Sequence, residues 1–182
     1  MSTLFGEIRQ LAFIVDDIDA AMAYWSGTLG IGPFFIKRAI TFDHFVYRGT
    51  PSPSPTVSIA LANSGYIQIE LIQQHDQNYS IYREHLRSGK MGMQHVSSWL
   101  TTKELFAKRS ELLNKGFQIA QECVIPASGV TLIYFSTEHG PGGLMFEMAD
   151  LAEPGQMERV MGIHAACQQW DGQSHPVIEV SQ

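Results

Sequence analysis

Apolar and polar residues follow two different periods along this chain, and the two periods come in the same order twice. Gln10 heads the apolar run Leu11-Ala12-Phe13-Ile14-Val15; after Asp16-Asp17, the residues Ile18, Ala21, Met22, Trp25 and Leu29 recur at helical spacing as far as Gly30. His95 likewise heads Val96-Ser97-Ser98-Trp99-Leu100, and after Thr101-Thr102 the residues Leu105, Phe106, Leu112 and Leu113 lead to Gly116. Each stretch predicts a strand, a polar N-cap, a helix of about three or four turns and a glycine C-cap. Twenty residues separate Gln10 from Gly30 and twenty-one separate His95 from Gly116.

Later in each half a short strand carries a glutamate between apolar neighbours, Ile67-Gln68-Ile69-Glu70-Leu71-Ile72 and Leu144-Met145-Phe146-Glu147-Met148. The interval from Gln10 to Glu70 is sixty residues and that from His95 to Glu147 is fifty-two, so internal duplication with a modest insertion is the expectation. Between these marks, Gly32-Pro33 breaks the first pattern. Phe34-Phe35-Ile36 and the group Phe42, Phe45, Val46 and Tyr47 then suggest two strands. Thr50 to Pro55, with three prolines and two serines, reads as a loop. Val57 to Leu61, Asn63-Ser64-Gly65 and the Glu70 strand form a hairpin pattern. In the second half 118–125, 130–135 and 144–148 repeat the order, with a Gly140-Pro141-Gly142-Gly143 turn before the last strand. The resulting division is 1–73 as a first strand-helix-strand-strand-strand module, 74–91 as a linker with a short helix, 92–150 as a second module, and 151–182 as a tail that is helical near Met157 to Trp170.

With 182 residues, 45% of them hydrophobic and 10% aromatic, the chain can bury a sizeable core. A net charge of −6 with 12 Lys plus Arg, and no basic cluster, argues against nucleic acid as a partner. No apolar run approaches the length of a membrane span, and no basic stretch followed by an apolar core opens the chain, so no membrane association is expected and a cytoplasmic location is the default. Cys123 and Cys167 lack metal-finger spacing and read as reduced thiols.

Chemistry concentrates at Gln10, Glu70, His95 and Glu147, which occupy equivalent places in the two halves. Strand alternation puts Gln10 on one face with Ala12 and Ile14, and Glu70 with Gln68 and Ile72. Edge-to-edge pairing of the halves would then bring two ligands from each to one site. One imidazole nitrogen, two carboxylates and one amide oxygen leave room for water or substrate on a six-coordinate ion, and suit zinc first, with nickel, cobalt or manganese as alternatives. Singly, each residue has an ordinary reading: a surface glutamine, a core histidine, glutamates paired with a cation or facing water. The other histidines, His44, His75, His85, His139, His164 and His175, are expected to face solvent. Phe34, Phe35, Phe42, Phe45 and Tyr47 divide between core and the lining of an apolar pocket, and Trp25 is expected in the core. Arg9, Lys37, Arg38, Arg48, Arg83 and Arg87 offer anchors for a carboxylate or a coenzyme A phosphate, but none falls in a motif that selects one.

In this order, the stretch from Gln10 through Asp19-Ala20-Ala21 to Gly30-Ile31-Gly32-Pro33-Phe34, the strand Glu70-Leu71-Ile72-Gln73, the segment Gly92-Met93-Gln94-His95-Val96, and Gly142-Gly143 before Phe146-Glu147 resemble the vicinal oxygen chelate superfamily over nearly all of residues 7–150. That superfamily includes glyoxalase I, methylmalonyl-CoA epimerase, extradiol dioxygenases and bleomycin-resistance proteins. The resemblance implies an α+β fold of two paired βαβββ modules, a curved mixed sheet around a metal-binding cleft, with the C-terminal helical tail added. It also implies a divalent metal at the positions of Gln10, Glu70, His95 and Glu147. Many members have histidine where this chain has Gln10, and epimerase-like members often have a second histidine at the position of Gln94; the Gln, Glu, His, Glu set is similar to zinc glyoxalase I.

The resemblance implies a metal-dependent isomerase or lyase that moves a proton next to a carbonyl of a small molecule or thioester, with Glu147 and Glu70 as the candidate bases. A ring-cleaving extradiol dioxygenase is the first alternative, weakened because only one histidine occupies a ligand position. A non-catalytic small-molecule binding protein is the second, and it does not require all four ligands. A homodimer is compatible with either.

Overall fold

The computed structural model describes residues 2–90 and 92–180; Met91, the last residue of the expected linker, and Ser181-Gln182, the end of the expected tail, lie outside the described residues, as does Met1. The first half holds β1 (Gln10–Ile14), α1 (Ile18–Gly27), β2 (Phe34–Ile40), β3 (Asp43–Tyr47), β4 (Thr50–Pro51), β5 (Val57–Ser64) and β6 (Ile67–Gln74). A short α2 (Ile81–Arg87) follows. Then come β7 (Gly92–Trp99), α3 (Thr102–Asn114), β8 (Ile119–Val124), β9 (Thr131–Phe135), β10 (Met145–Ala149), α4 (Pro154–Gln169) and β11 (Val177–Glu179).

All the strands join one curved, unclosed mixed sheet in the order β11-β2-β5-β6-β1-β7-β10-β9-β8-β3-β4. β1 runs parallel to β6 and antiparallel to β7, and β7 runs parallel to β10. The β3–β4 hairpin leaves its sequence neighbours and pairs with β8 at the far edge, Val46 opposite Glu122 and Tyr47 opposite Gln121. Only Thr41 and Phe42 lie between β2 and β3, so the sheet must curl far enough for two residues to span from one end of the strand order to the other.

Local chemistry starts both long connecting helices. The Asp17 carboxylate accepts from the Asp19 and Ala20 backbone N–H groups at 3.0 Å, and Thr101 with Glu104 forms a reciprocal capping box. α3 ends at Asn114 and is capped by Lys115, with Gly116 next at a φ of +87° that suits glycine. α1 ends earlier than its glycine predicts: its last helical residue is Gly27 and Thr28 caps it, Gly30 standing outside. The stripe Ile18, Met22 and Ser26 buries against β2, β5 and β6, and Leu105 and Leu112 of α3 pack on Val96, Ile133, Phe135, Phe146 and Met148. Phe106 and Leu113, which share the apolar spacing of α3, are exposed instead, because that helix presents only a narrow stripe to the sheet.

The opposite face of the sheet is covered by α2 and by the tail. Ile81 and Tyr82 of α2 and Val160 of α4 pack on Ile14, Ile72, Tyr134, Met145 and Ala149. α4 starts at Pro154, whose missing N–H costs nothing at the first helical position, and runs along β5. Its Cys167 Sγ accepts from the Asn63 backbone N–H at 3.2 Å, and Trp170 lies against Gly32. β11 then adds to β2 as a parallel edge strand, a three-residue segment without a sequence pattern of its own. Thr50 and Pro51, expected in a loop, form the short β4. No helix among the described residues is long and apolar enough to cross a membrane.

The turn before β10 is held by close backbone approach. A Cβ at Gly143 would lie 2.8 Å from the Thr137 carbonyl oxygen, whereas one at Gly140 would meet nothing within 4 Å. Gly143→Ala should therefore lower the unfolding free energy by about 1–3 kcal/mol, with Gly140→Ala close to neutral, as read by urea denaturation. Equal effects of the two changes would contradict this packing.

Candidate functional site

The four sequence candidates take matching register positions on the four central strands. On β1 and β6, Gln10 stands opposite Gln68 and Ala12 opposite Glu70. On β7 and β10, His95 stands opposite Met145 and Ser97 opposite Glu147. Across the middle, Gln10 faces Ser97 and Ala12 faces His95. In each half, then, the glutamate sits two residues beyond the position opposite the first candidate, and the small Ala12 and Ser97 leave space between them. All four candidates are buried, His95 completely.

His95, Glu70 and Glu147 converge. His95 Nε2 lies 3.4 Å from Glu70 Oε2 and 3.7 Å from Glu147 Oε2. Both His95 Nε2 and Glu70 Oε2 are buried without a hydrogen-bond partner. Gln10 is on the same strand face, but it bonds Gln68, whose Oε1 accepts from Gln10 Nε2 at 2.9 Å. Gln68 Nε2 is itself buried and unpartnered.

Burial sets the protonation of this cluster. It pushes the Glu70 carboxyl up to about 8, with no charge opposing it. Burial also raises Glu147, but there neighbouring His95 and the Ser97 and Tyr134 hydroxyls act the other way. His95 is pushed down by burial, against the pull of Glu147, so its imidazole is neutral near pH 7. Tyr134, opposite Glu147 in the β9–β10 register, places its ring edge-on to His95 at 5.1 Å, and its hydroxyl shares a 2.9 Å hydrogen bond with that of Tyr82.

The donor types present, one imidazole and two carboxylates, are of the kind that hold a divalent ion. Two tetrahedral ligands each about 2.0–2.1 Å from zinc stand roughly 3.3 Å apart, close to the His95–Glu70 separation of 3.4 Å, with Glu147 slightly wider at 3.7 Å. Two unpartnered buried atoms 3.4 Å apart are what such a group would satisfy. As placed, the side chains do not close into a finished shell, and no group of three or more His, Cys, Asp or Glu among the described residues does.

A cavity of about 250 Å³ is lined among others by His85, Lys90, Glu138, Leu144, Gln94 and Met145; none of the four candidates lines it, and Gln94 and Met145 are what connect it to His95. Gln94 has no signal in the sequence that makes it a site residue, yet its Oε1 is 2.6 Å from His95 Nδ1. Gln68, Ser97, Tyr82 and Tyr134 also surround the cluster. Of these only Gln68 was legible, since it shares a strand face with Glu70. Several anchor candidates are occupied: Arg48 bridges Glu84 at 2.7 Å and Glu138 at 3.1 Å, Arg38 holds Asp19 and Glu179, and Arg9 lies over the Trp99 ring. Among the histidines expected in solvent, His164 is buried and stacks on Tyr66, and His85 is half-buried. Phe42 and Phe45 are buried on the site's face of the sheet, Phe34 on the opposite one.

Residues 9–135 match the Glyoxalase/Bleomycin resistance protein/Dioxygenase superfamily, and the chain belongs to that family. The matched segment contains Gln10, Glu70 and His95; Glu147 lies beyond it and joins them through the β7–β10 register. Among solved structures, methylmalonyl-CoA epimerase of Mycobacterium tuberculosis is 17% identical with a TM-score of 0.56, covering 82% of this chain and 91% of its own. A hypothetical protein of Bacillus halodurans C-125 is 16% identical with a TM-score of 0.55, covering 79% of this chain and 92% of its own. A second methylmalonyl-CoA epimerase structure is 18% identical with a TM-score of 0.52, covering 82% and 97%. These likenesses show the fold. No curated protein sequence matches.

The raised Glu70 value has a consequence for stability in protein stripped of metal. Folding favours the protonated carboxyl, so its contribution is whole below the ordinary value of 4.5 and is lost as pH rises through about 8. The Tm of chelator-treated protein should fall by on the order of 10 °C between about pH 5 and pH 9, and Glu70→Gln should remove much of that fall. A wild-type Tm that rises over this range would contradict the assignment.

Proposed function

We propose that this protein is a metal-dependent enzyme that moves a proton at a carbon beside a carbonyl, an isomerase or lyase of small molecules or thioesters. The observation that carries this is the pair of unpartnered buried donors, His95 Nε2 and Glu70 Oε2, 3.4 Å apart with Glu147 alongside. His95, Glu70, Glu147 and the amide oxygen of Gln10 would hold a divalent ion, with zinc the first choice and nickel, cobalt or manganese compatible. When bound there, such an ion supplies a Lewis acid that makes the carbon next to a carbonyl more acidic.

The chain's own residues supply the rest. Glu147 takes the proton from carbon and returns it to the neighbouring carbon, whereas inversion at the same carbon requires Glu70 to protonate the opposite face. Without a metal, burial raises this carboxyl while His95 and the Ser97 and Tyr134 hydroxyls act the other way, and a bound cation would favour its ionised, basic form. Glu70 is the second proton carrier. The apolar residues around them, Ile14, Ile72 and Met145, exclude water from the transfer. Two matching halves, read as copies, account for each supplying one strand-heading ligand and one glutamate.

The methylmalonyl-CoA epimerases among the similar folds make acyl-CoA thioesters one substrate class to test. The Gln, Glu, His, Glu set makes thiohemiacetals another, and 2-oxo compounds a third. Ring cleavage by iron and oxygen is disfavoured because one imidazole stands where that chemistry uses two with a carboxylate.

Incubation in deuterium oxide with each substrate class, on protein whose metal content is measured in the same preparation, should give deuterium at the carbon beside the carbonyl for one class. About one divalent ion per site is expected. Glu147→Gln should cut exchange by roughly 10²–10⁴-fold while retaining the wild-type circular dichroism spectrum. Full exchange in metal-stripped protein would overturn the mechanism; oxygen uptake with catechols would support ring cleavage instead, and ligand binding without exchange a binding protein.

A further inference from the structure

His95 can offer a lone pair at Nε2 only if its single ring proton sits on Nδ1, so whatever partners Nδ1 decides whether the cluster can take a cation. That partner is Gln94, the preceding residue on the same strand. Successive strand residues normally point to opposite faces, and the exception here has a structural cause. His95 is opposite Ala12 while Met93 is opposite Phe13, so Gln94 is an extra residue in the β1–β7 ladder, a bulge that re-aims its side chain. Its Oε1 comes within 2.6 Å of His95 Nδ1. Its Nε2 donates to the Met145 thioether sulfur at 3.3 Å.

The second contact fixes the orientation of the first. With the amide turned over, nitrogen would face Nδ1 and the ring proton would move to Nε2, but the amide oxygen would then lie against a sulfur that has no proton to give. Met145 therefore selects the arrangement in which Gln94 accepts. Resting on the metal-centre reading above, we propose that Gln94 is a positioning residue: it holds His95 in the Nδ1–H tautomer and so keeps the Nε2 lone pair directed at Glu70 and Glu147. In this role it takes the place of the carboxylate or carbonyl that commonly orients a metal-binding histidine. It touches neither proton carrier and is not a catalytic residue.

The tautomer can be read without any metal. In chelator-treated protein labelled with ¹⁵N-histidine, two-bond ¹H–¹⁵N correlations, with His95 identified by its loss in His95→Gln, should show Nδ1 protonated and Nε2 bare. Gln94→Glu, which can still accept, should keep that pattern, and Gln94→Leu should move proton density to Nε2. Cobalt(II) titration should then give an affinity about 10–100-fold weaker for Gln94→Leu and much closer to wild type for Gln94→Glu. Wild-type protein with His95 protonated at Nε2, or Gln94→Leu with the wild-type tautomer and cobalt affinity, would overturn the proposal, and the first of these needs no variant to fold. Wild-type protein with the Nδ1–H tautomer that takes up no cobalt supports the role of Gln94 and defeats the metal-centre reading, so the two failures are distinguishable.

Discussion

Antiparallel pairing of β1 with β7 is the contact on which the site depends. It is the seam between the two runs of strands, and its register places Gln10 opposite Ser97 and Ala12 opposite His95. Because each of these strands lies parallel to its own glutamate-bearing neighbour, the seam also fixes Glu70 relative to Glu147. A one-residue slip would turn His95 to the α3 side of the sheet and leave Glu70 facing hydrocarbon. The side chains across the seam are small on one diagonal and functional on the other, so the centre of the sheet has room for polar groups.

That room is costly. A sheet face carrying Gln10, Gln68, Glu70, His95 and Glu147 surrounded by Ile14, Ile72, Tyr82 and Tyr134 must desolvate several polar groups, and unpaired burial of any one costs roughly 1–3 kcal/mol. The structure limits the loss by neutralising charge: Glu70 holds its proton up to about 8 and His95 gives its proton up. Well-packed apolar residues at these positions would give a more stable protein. The polar cluster is therefore a cost to stability, which the binding role proposed for it would account for.

Much of this was legible in the sequence because it depends on short-range order. Gln10 and His95 head apolar runs, Glu70 and Glu147 interrupt others, and the caps at Asp17 and Thr101 are local hydrogen bonds that any reader of the chain can anticipate. The strands other than β4 and β11 and both long connecting helices followed from periodicity, and so did the C-terminal helix, though its start at Pro154 preceded the apolar pattern near Met157. What periodicity cannot give is partner choice across the sheet. The crossing of the Asp43–Pro51 hairpin to β8, the docking of Val177–Glu179 on β2 and the bulge at Gln94 all depend on residues distant in sequence. Exposure of Phe106 and burial of His164 fail for the same reason, since each is decided by which stripe of its helix meets the sheet. The placement of His164 four residues after Val160 carried a faint signal of the second.

The crossing hairpin also bears on how the site is held. Curling brings β3 beside β8, and Arg48, just past β3, ties the closure by ion pairs to Glu84 on α2 and Glu138 after β9, while Tyr47 donates to Glu84 at 2.9 Å. Taken singly such partly exposed pairs contribute little, about 0–1 kcal/mol, but they join three segments that do not otherwise meet in a strand ladder. α2 carries Tyr82 into the site's wall, where its hydroxyl meets that of Tyr134, the residue opposite Glu147. A chain of contacts thus runs from the curled edge of the sheet through α2 to the carboxyl proposed to move the proton. The curvature that makes the cleft also braces the helix covering it, and the geometry of Glu147 follows from the sheet's overall shape as much as from its own strand.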